Sequence, residues 1–431
     1  MDESTEPTTT DLAPAGRLDA YRRIRRVTET LCEPLRTEDF VVQSMPDASP
    51  AKWHLGHTSW FFETFLLKPH LAGYEPVDPR YEVLFNSYYN TVGEQYPRPE
   101  RGLLTRPTVE EVFAYRRKVD DGIGALLDRR SAEANGGLAS VLEVGIHHEQ
   151  QHQELLLTDL KHLFSRNPIR PVYRPRTGGI HPVPAPARFI PHEGGIVEIG
   201  HSGTAADGYS FDNERPRHRV LLQPFALADR PVTNGEFREF LEDGGYADPR
   251  HWLSDGWDAV EKNGWTAPLY WRCEDGRWGT FTLAGFRDLD PAEPVCHLSY
   301  YEADAYARWA GARLPTEQEW EAVAAARPIE GNLQESERLH PAPIERDLPP
   351  GPARIYGDVW EWTASAYAAY PGFRPNPGAL GEYNGKFMCN QFVLRGGSCL
   401  TPRSHIRPTY RNFFHPEARW QVTGLRLAKE A

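Results

Sequence analysis

His147-His148-Glu149-Gln150-Gln151-His152-Gln153-Glu154-Leu155-Leu156-Leu157 sets two imidazoles four residues apart in a stretch that reads as a buried helix. Positions i and i+4 of an α-helix lie one above the other on one face, so His148 and His152 can grip a single metal ion. Val141, Val144, Leu155, Leu156 and Leu163 fall near the same stripe at helical period, and the two histidines continue it. A lone histidine on such a stripe is ordinarily a core residue bonded to a neighbour. Two stacked ones each need a partner once buried, and a shared metal satisfies both.

Outward from this helix the first part of the chain is patterned as four long helices, roughly Arg17–Leu35, Ser49–Leu67, Val109–Asp128 and Leu138–Phe164. Ser49-Pro50 is a helix start, with serine as N-cap and proline in the first turn. The set predicts a four-helix bundle, a usual home for metal sites. Its one long connection, Lys68 to Pro107, is of a length that is often functional. Two histidines leave a metal short of donors, and Lys52-Trp53-His54-Leu55-Gly56-His57 on the second helix offers a third. His57 shares a face with Trp53, Trp60, Phe61 and Thr64, whereas His54 lies about 60° away at ~100° per residue and is expected at the rim. Three histidines leave coordination positions open, as a catalytic metal requires. His148-Glu149-Gln150-Gln151-His152 also matches the H-E-x-x-H helix of zinc peptidases. The longer metzincin extension is missing, and the third donor lies upstream on another helix, which disfavours that reading.

Prolines 168, 171, 175, 182, 184 and 186 make residues 167–191 a stiff joint. Beyond it the composition shifts: ten of the twelve tryptophans stand from Trp252 onward, and helical patterns shrink to two, near Thr233–Asp243 and Tyr301–Ala310. The expected organisation is α+β in two domains: a disordered tail at 1–12, a metal-binding bundle at 13–166, the Pro-rich linker at 167–191 and a turn-rich mixed domain at 192–431. A formal net charge of −12 argues against a nucleic-acid partner. No run approaches the ~20 apolar residues of a membrane span, and the acidic, polar first residues are unlike a secretory signal, so a cytoplasmic protein is expected. Five cysteines without C-x-x-C spacing indicate neither disulfides nor a zinc knuckle.

Lys52-Trp53-His54-Leu55-Gly56-His57, Phe85-Asn86-Ser87-Tyr88-Tyr89-Asn90 and His148-Glu149-Gln150-Gln151-His152-Gln153-Glu154-Leu155 together resemble the DinB-like (damage-inducible-protein-B-like) bundle of the ergothioneine-biosynthetic sulfoxide synthases. The second half is similar to the formylglycine-generating-enzyme domain, a variant C-type lectin fold. It shows Asn213-Glu214-Arg215-Pro216-Arg217-His218, Pro231-Val232-Thr233-Asn234, Arg313-Leu314-Pro315-Thr316-Glu317-Gln318-Glu319-Trp320, Gly357-Asp358-Val359-Trp360-Glu361-Trp362 and Leu394-Arg395-Gly396-Gly397-Ser398.

That resemblance implies a non-heme Fe(II) held by His57, His148 and His152, with O₂ as co-substrate. It implies joining cysteine sulfur to the imidazole C2 of hercynine, Nα-trimethylhistidine, as a sulfoxide. It also implies a tyrosine proton donor. Tyr88 and Tyr89, in the long connection, match the cysteine-using branch; in another branch the tyrosine comes from the second domain, which leaves Tyr367, Tyr370 and Tyr383 open. Gln151 is a candidate partner for the hercynine imidazole. Asn412, Phe413, Phe414 and Trp420 are candidates for the wall facing its carboxylate and trimethylammonium group. Arg98 and Arg101 are candidate clamps for the thiol donor's carboxylate. Formylglycine-generating enzymes use a cysteine pair near the arginine-glycine-glycine-serine segment, but here Cys399 has no second cysteine after it. The related ovothiol synthases carry a further methyltransferase that 431 residues do not include. Rival readings are the same scaffold with γ-glutamylcysteine or a selenosugar as donor, and a zinc metallohydrolase or thiol-transferase built on the bundle.

Overall fold

The computed structural model of the chain describes residues 14–129, 136–176, 178–345 and 351–431; the tail expected at 1–12 lies outside them. Four long helices form as the periodicity predicts: α1 (Pro14–Cys32), α2 (Ala51–Phe62), α3 (Val109–Arg129) and α4 (Gly136–Arg166). α2 packs against α3 and α4, and α1 against α3 and α4. All twelve residues of α2 are buried, so it is the central rod, with no solvent face of its own. Trp60, Phe61 and Phe62 have at most 1% of their surface exposed, and burying each is worth about 1.5–3 kcal/mol.

Two glycines permit this closeness. A Cβ on Gly56 would lie 2.2 Å from the Phe85 ring, and one on Gly145 would lie 2.4 Å from the Phe62 ring. α2 begins one residue later than the serine-cap reading. Pro50 is its N-cap (φ −60°, ψ 146°) and no side chain caps it; the Ser49 hydroxyl instead accepts from Arg101 Nη1 at 2.9 Å. At its other end α2 runs into a π-helical turn, Glu63–Leu67, where the Glu63 carboxylate accepts the Tyr74 and Tyr115 hydroxyls, each at 2.7 Å. The long connection holds a short helix, Tyr81–Phe85, and a 3-10 stretch, Arg98–Leu103.

The described residues up to Asn167 form one compact unit that also takes in two segments from far along the chain, Gly203–Asp212 and Pro375–Asn384. The remainder forms the second unit. Phe189–His192, running from the end of the proline-rich joint into the following domain, is a strand paired antiparallel with Phe225–Ala228, which also pairs with Ala428–Glu430. A four-stranded sheet runs Asn412–Phe414, Phe392–Arg395, Trp360–Ala366, Thr423–Gly424.

Four α-helices of eight residues or more occur in this unit among the described residues, against the two expected. Ser254–Asn263 and Glu317–Ala324 join Asn234–Glu242 and Tyr300–Trp309. Three of them open with a capping box, Thr233/Glu236, Ser299/Glu302 and Thr316/Glu319, in which the two side chains satisfy each other's backbone N–H. Buried ion pairs tie this core together, Arg395 to Glu317 and Glu321 and Arg426 to Glu361. No helix among the described residues is long and apolar enough to cross a membrane.

Candidate metal centre

His57 from α2 and His148 and His152 from α4 converge, with one ligand nitrogen from each lying within 4.8 Å of the others. The group is the one the i, i+4 spacing and the aromatic face of α2 point to. His57 is fully buried, and its Nδ1 lies 2.6 Å from the Phe85 carbonyl oxygen. A carbonyl only accepts, so Nδ1 carries the proton and Nε2 presents a lone pair. That Nε2 is 3.0 Å from Nε2 of His148, close to the separation of adjacent ligands each about 2.1 Å from one ion.

His54 is not at the rim. It is 3% exposed, its Nδ1 lies 2.8 Å from Nδ1 of His152, and its Nε2 lies 3.1 Å from Asp159 Oδ2. The carboxylate accepts from His54 Nε2–H, so His54 Nδ1 accepts in turn from His152 Nδ1–H. This leaves His152 Nε2 as the free lone pair, the outer-partner arrangement that orients metal-bound imidazoles. The 60° wheel offset failed here because α2 has no exposed face.

Burial pulls all three histidines well below the ordinary imidazole range, His148 to about 3. Three neutral imidazoles converging on one small space, His57 and His148 buried and His152 half-buried, fit a divalent transition metal.

Glu149 cannot serve as the general base of a zinc peptidase. Its carboxylate, 0% exposed, is turned to Arg25 Nη1 (2.9 Å), Arg116 Nη2 (2.9 Å) and the Thr28 hydroxyl (2.7 Å). Burial raises its pKa, but the two guanidinium groups outweigh that and hold it at about 2. This carboxylate therefore ties α4 to α1 and α3.

Around the histidines lies a ring cluster. Tyr383 packs edge-on to His148 at 5.6 Å between centroids, donates its hydroxyl to Gln151 Oε1, and stacks on Phe211 at 5.3 Å. Tyr88 sits 6.3 Å from the Tyr383 ring and stacks on Tyr89 at 4.7 Å. Tyr89 is buried against Trp60 and Phe65. Burial pushes both phenols of the pair above the ordinary tyrosine value, which keeps them protonated. The structure thus brings Tyr383 directly against His148, with the expected pair behind it.

Arg101 stands with the centre and Arg98 does not. The Arg101 guanidinium lies 3.3 Å over Trp53, whose indole stacks on His57 at 4.6 Å. It is 4% exposed, and among the described residues no carboxylate pairs with it. Arg98 is exposed and donates to the Asp47 carbonyl oxygen. In the second unit, Asn412, Phe413 and Phe414 form the half-buried edge strand of the four-stranded sheet. Phe413 stacks on Tyr367 at 4.0 Å and Phe414 meets Trp420 edge-on at 5.6 Å.

Residues 20–156 match the DinB superfamily model, and residues 181–347 and 335–431 match the sulfatase-modifying factor enzyme 1-like domain. The hercynine oxygenase of Mycobacterium tuberculosis is 35% identical over 408 residues, 89% of this chain and 91% of that protein. The chain belongs to the hercynine oxygenase family. The hercynine oxygenase of Mycolicibacterium thermoresistibile is 33% identical over 449 residues, covering 95% of this chain and 93% of its own. The formylglycine-generating enzyme of Streptomyces coelicolor is 30% identical over 287 residues, 54% of this chain and 87% of that protein. As a member of the hercynine oxygenase family, the chain is an oxidoreductase of the ergothioneine sulfoxide synthase type, with the helical domain first and the mixed domain second.

Proposed function

We propose that this chain joins the sulfur of cysteine to the imidazole C2 of hercynine and delivers the product as hercynylcysteine sulfoxide. The convergence of His57, His148 and His152, in a chain of this family, carries the reading. Written out, the C2–H and S–H bonds break and C–S and S=O bonds form. One atom of O₂ enters the sulfoxide, and the other leaves as water with the two hydrogens. Iron(II) held by the three histidines supplies the redox chemistry that couples O₂ to this four-electron change. Zinc, suited to the same imidazoles, is redox-silent and could not support it.

The chain's own side chains have separate tasks. His54 and Asp159 keep His152 in one tautomer. Arg101, a buried cation lacking a carboxylate partner among the described residues, takes the carboxylate of the thiol donor. Gln151, next to His152, orients the Tyr383 phenol and faces the hercynine imidazole. Asn412, Phe413, Phe414 and Trp420 of the second unit offer an amide and aromatic faces of the kind that suit a carboxylate and a trimethylammonium group. The phenol cluster of Tyr88, Tyr89 and Tyr383 supplies the proton that steers the reaction to sulfoxide. Tyr383, in ring contact with His148, is its innermost member.

That position favours a second reading of the donor. A tyrosine delivered from the later sequence goes with a branch other than the cysteine-using one, and so with γ-glutamylcysteine or a selenosugar as donor.

Metal-free protein reconstituted anaerobically with Fe(II) and given hercynine, O₂ and one thiol at a time tests the proposal by mass spectrometry. Sulfoxide from cysteine supports the first reading and sulfoxide from γ-glutamylcysteine alone supports the second. A selenosugar adduct would reassign the donor, and no adduct from any donor would overturn the function. Tyr383→Phe is expected to convert most turnover into cysteine sulfinate, with Tyr88→Phe and Tyr89→Phe having smaller effects. Unchanged product ratios in all three variants would place the donor elsewhere.

A further inference from the structure

Tyr383 reaches the helices on Pro375–Asn384, a segment more than 200 residues beyond α4 whose only regular structure is the 3-10 turn Gly378–Glu382. A phenol so delivered is positioned only as well as its strap is held. Asp212 holds the strap at both ends, accepting from Asn376 N at 3.0 Å and Asn384 Nδ2 at 2.8 Å. Phe211 stacks on the tyrosine ring.

The residue before Tyr383 does more. The Glu382 carboxylate accepts three hydrogen bonds from the tyrosine-pair loop: Asn90 N at 2.9 Å, Thr91 N at 2.9 Å and the Thr91 hydroxyl at 2.6 Å. An ionised carboxylate taking two successive backbone N–H groups and a hydroxyl makes a directional, charge-assisted clasp. The loop it grips is itself organised. Asn86, 0% exposed, donates to the carbonyls of Tyr89 (3.0 Å), Gly93 (3.3 Å) and Glu94 (3.3 Å), and accepts from Tyr89 N at 3.0 Å. Phe85, just before it, holds His57 through its carbonyl. One continuous series of contacts therefore runs from a ligand histidine through the Tyr88–Tyr89 loop to Glu382 and Tyr383.

We infer that Glu382 is a positioning residue, clasping the Tyr88–Tyr89 loop so that the Tyr383 phenol is held at His148. The inference rests on the sulfoxide-forming function proposed above. Its chemistry is indirect: Glu382 acts through its neighbour, Tyr383. A misplaced phenol would leave O₂ consumption running but divert product toward sulfinate.

The test has two arms on the full-length chain. In metal-free protein, hydrogen exchange of the Asn90 and Thr91 amides is expected to accelerate at least tenfold in Glu382→Ala. Glu382→Gln, which keeps one acceptor, and Thr91→Val, which loses one donor, are expected to fall between. In Fe(II)-loaded protein the sulfinate-to-sulfoxide ratio should rise several-fold in the same order, with KM for hercynine unchanged. Amide exchange at the wild-type rate overturns the clasp. Faster exchange with the wild-type product ratio overturns the positioning role and leaves a structural one. A wild-type chain that forms no sulfoxide contradicts the proposed function instead, and the exchange arm still decides whether Glu382 clasps the loop.

Discussion

His57→Ala is expected to abolish stoichiometric Fe(II) binding while the bundle keeps its helical content. His54→Ala should weaken binding by roughly 10–100-fold, the usual cost of losing an outer partner of a metal ligand. The difference follows from what each ring does. His57 contributes one of three converging nitrogens from α2, and without it the remaining two come from a single helix. His54 contributes no ligand nitrogen to that group; it links Asp159 to Nδ1 of His152. Anaerobic titration with Fe(II), alongside far-UV circular dichroism, reads both effects. Equal losses in the two variants would contradict the distinction between ligand and support.

Glu149→Gln is expected to destabilise the helical unit by up to about 3–5 kcal/mol, the cost of removing one partner of a buried ion pair, because it leaves Arg25 with Asp120 and Arg116 with only Glu29, 3.6 Å away. Arg25 and Arg116 are 3% and 0% exposed, and both are paired with this one carboxylate. A single-domain stability is typically 5–15 kcal/mol, so the loss is a large share of what holds α1, α3 and α4 together. Denaturant unfolding measures it as a lowered midpoint. Were Glu149 a catalytic base, the glutamine variant would unfold like the parent and lose only activity.

The convergence of the three histidines was legible because two of them obey a local rule, the i, i+4 stacking of a helix, and the third stands on a face crowded with aromatics. The four long helices were legible for the same reason: their apolar stripes repeat over many turns. His54 was misjudged because an angular offset separates inside from outside only on a helix with a wet side, and α2 has none. The helix Glu317–Ala324 escaped notice at eight residues, too short for a stripe to stand out, although the Thr316/Glu319 capping box marked its start.

Nothing local could reveal that Gly203–Asp212 and Pro375–Asn384 fold with the helices. Asp212 joins the two segments to each other, and they meet the first part of the chain through ring contacts, Tyr209 on His147 and Tyr383 on His148, and through the Glu382 carboxylate at the Asn90 and Thr91 amides; such contacts leave no periodic trace. Tyr383 was therefore one of several tyrosines left open by the sequence, and became the innermost only in three dimensions. Arg98 and Arg101, one turn of 3-10 helix apart, read alike in sequence; the fold distinguishes them, burying Arg101 over the ring of Trp53 and leaving Arg98 exposed.

The most direct measurement is a crystal of the full-length chain loaded with Fe(II) under anaerobic conditions, with diffraction recorded on either side of the iron absorption edge. The account predicts one anomalous peak bonded to Nε2 of His57, His148 and His152, with His54 outside bonding distance. An iron peak that lacks His57, or that takes Glu149 as a ligand, would contradict it.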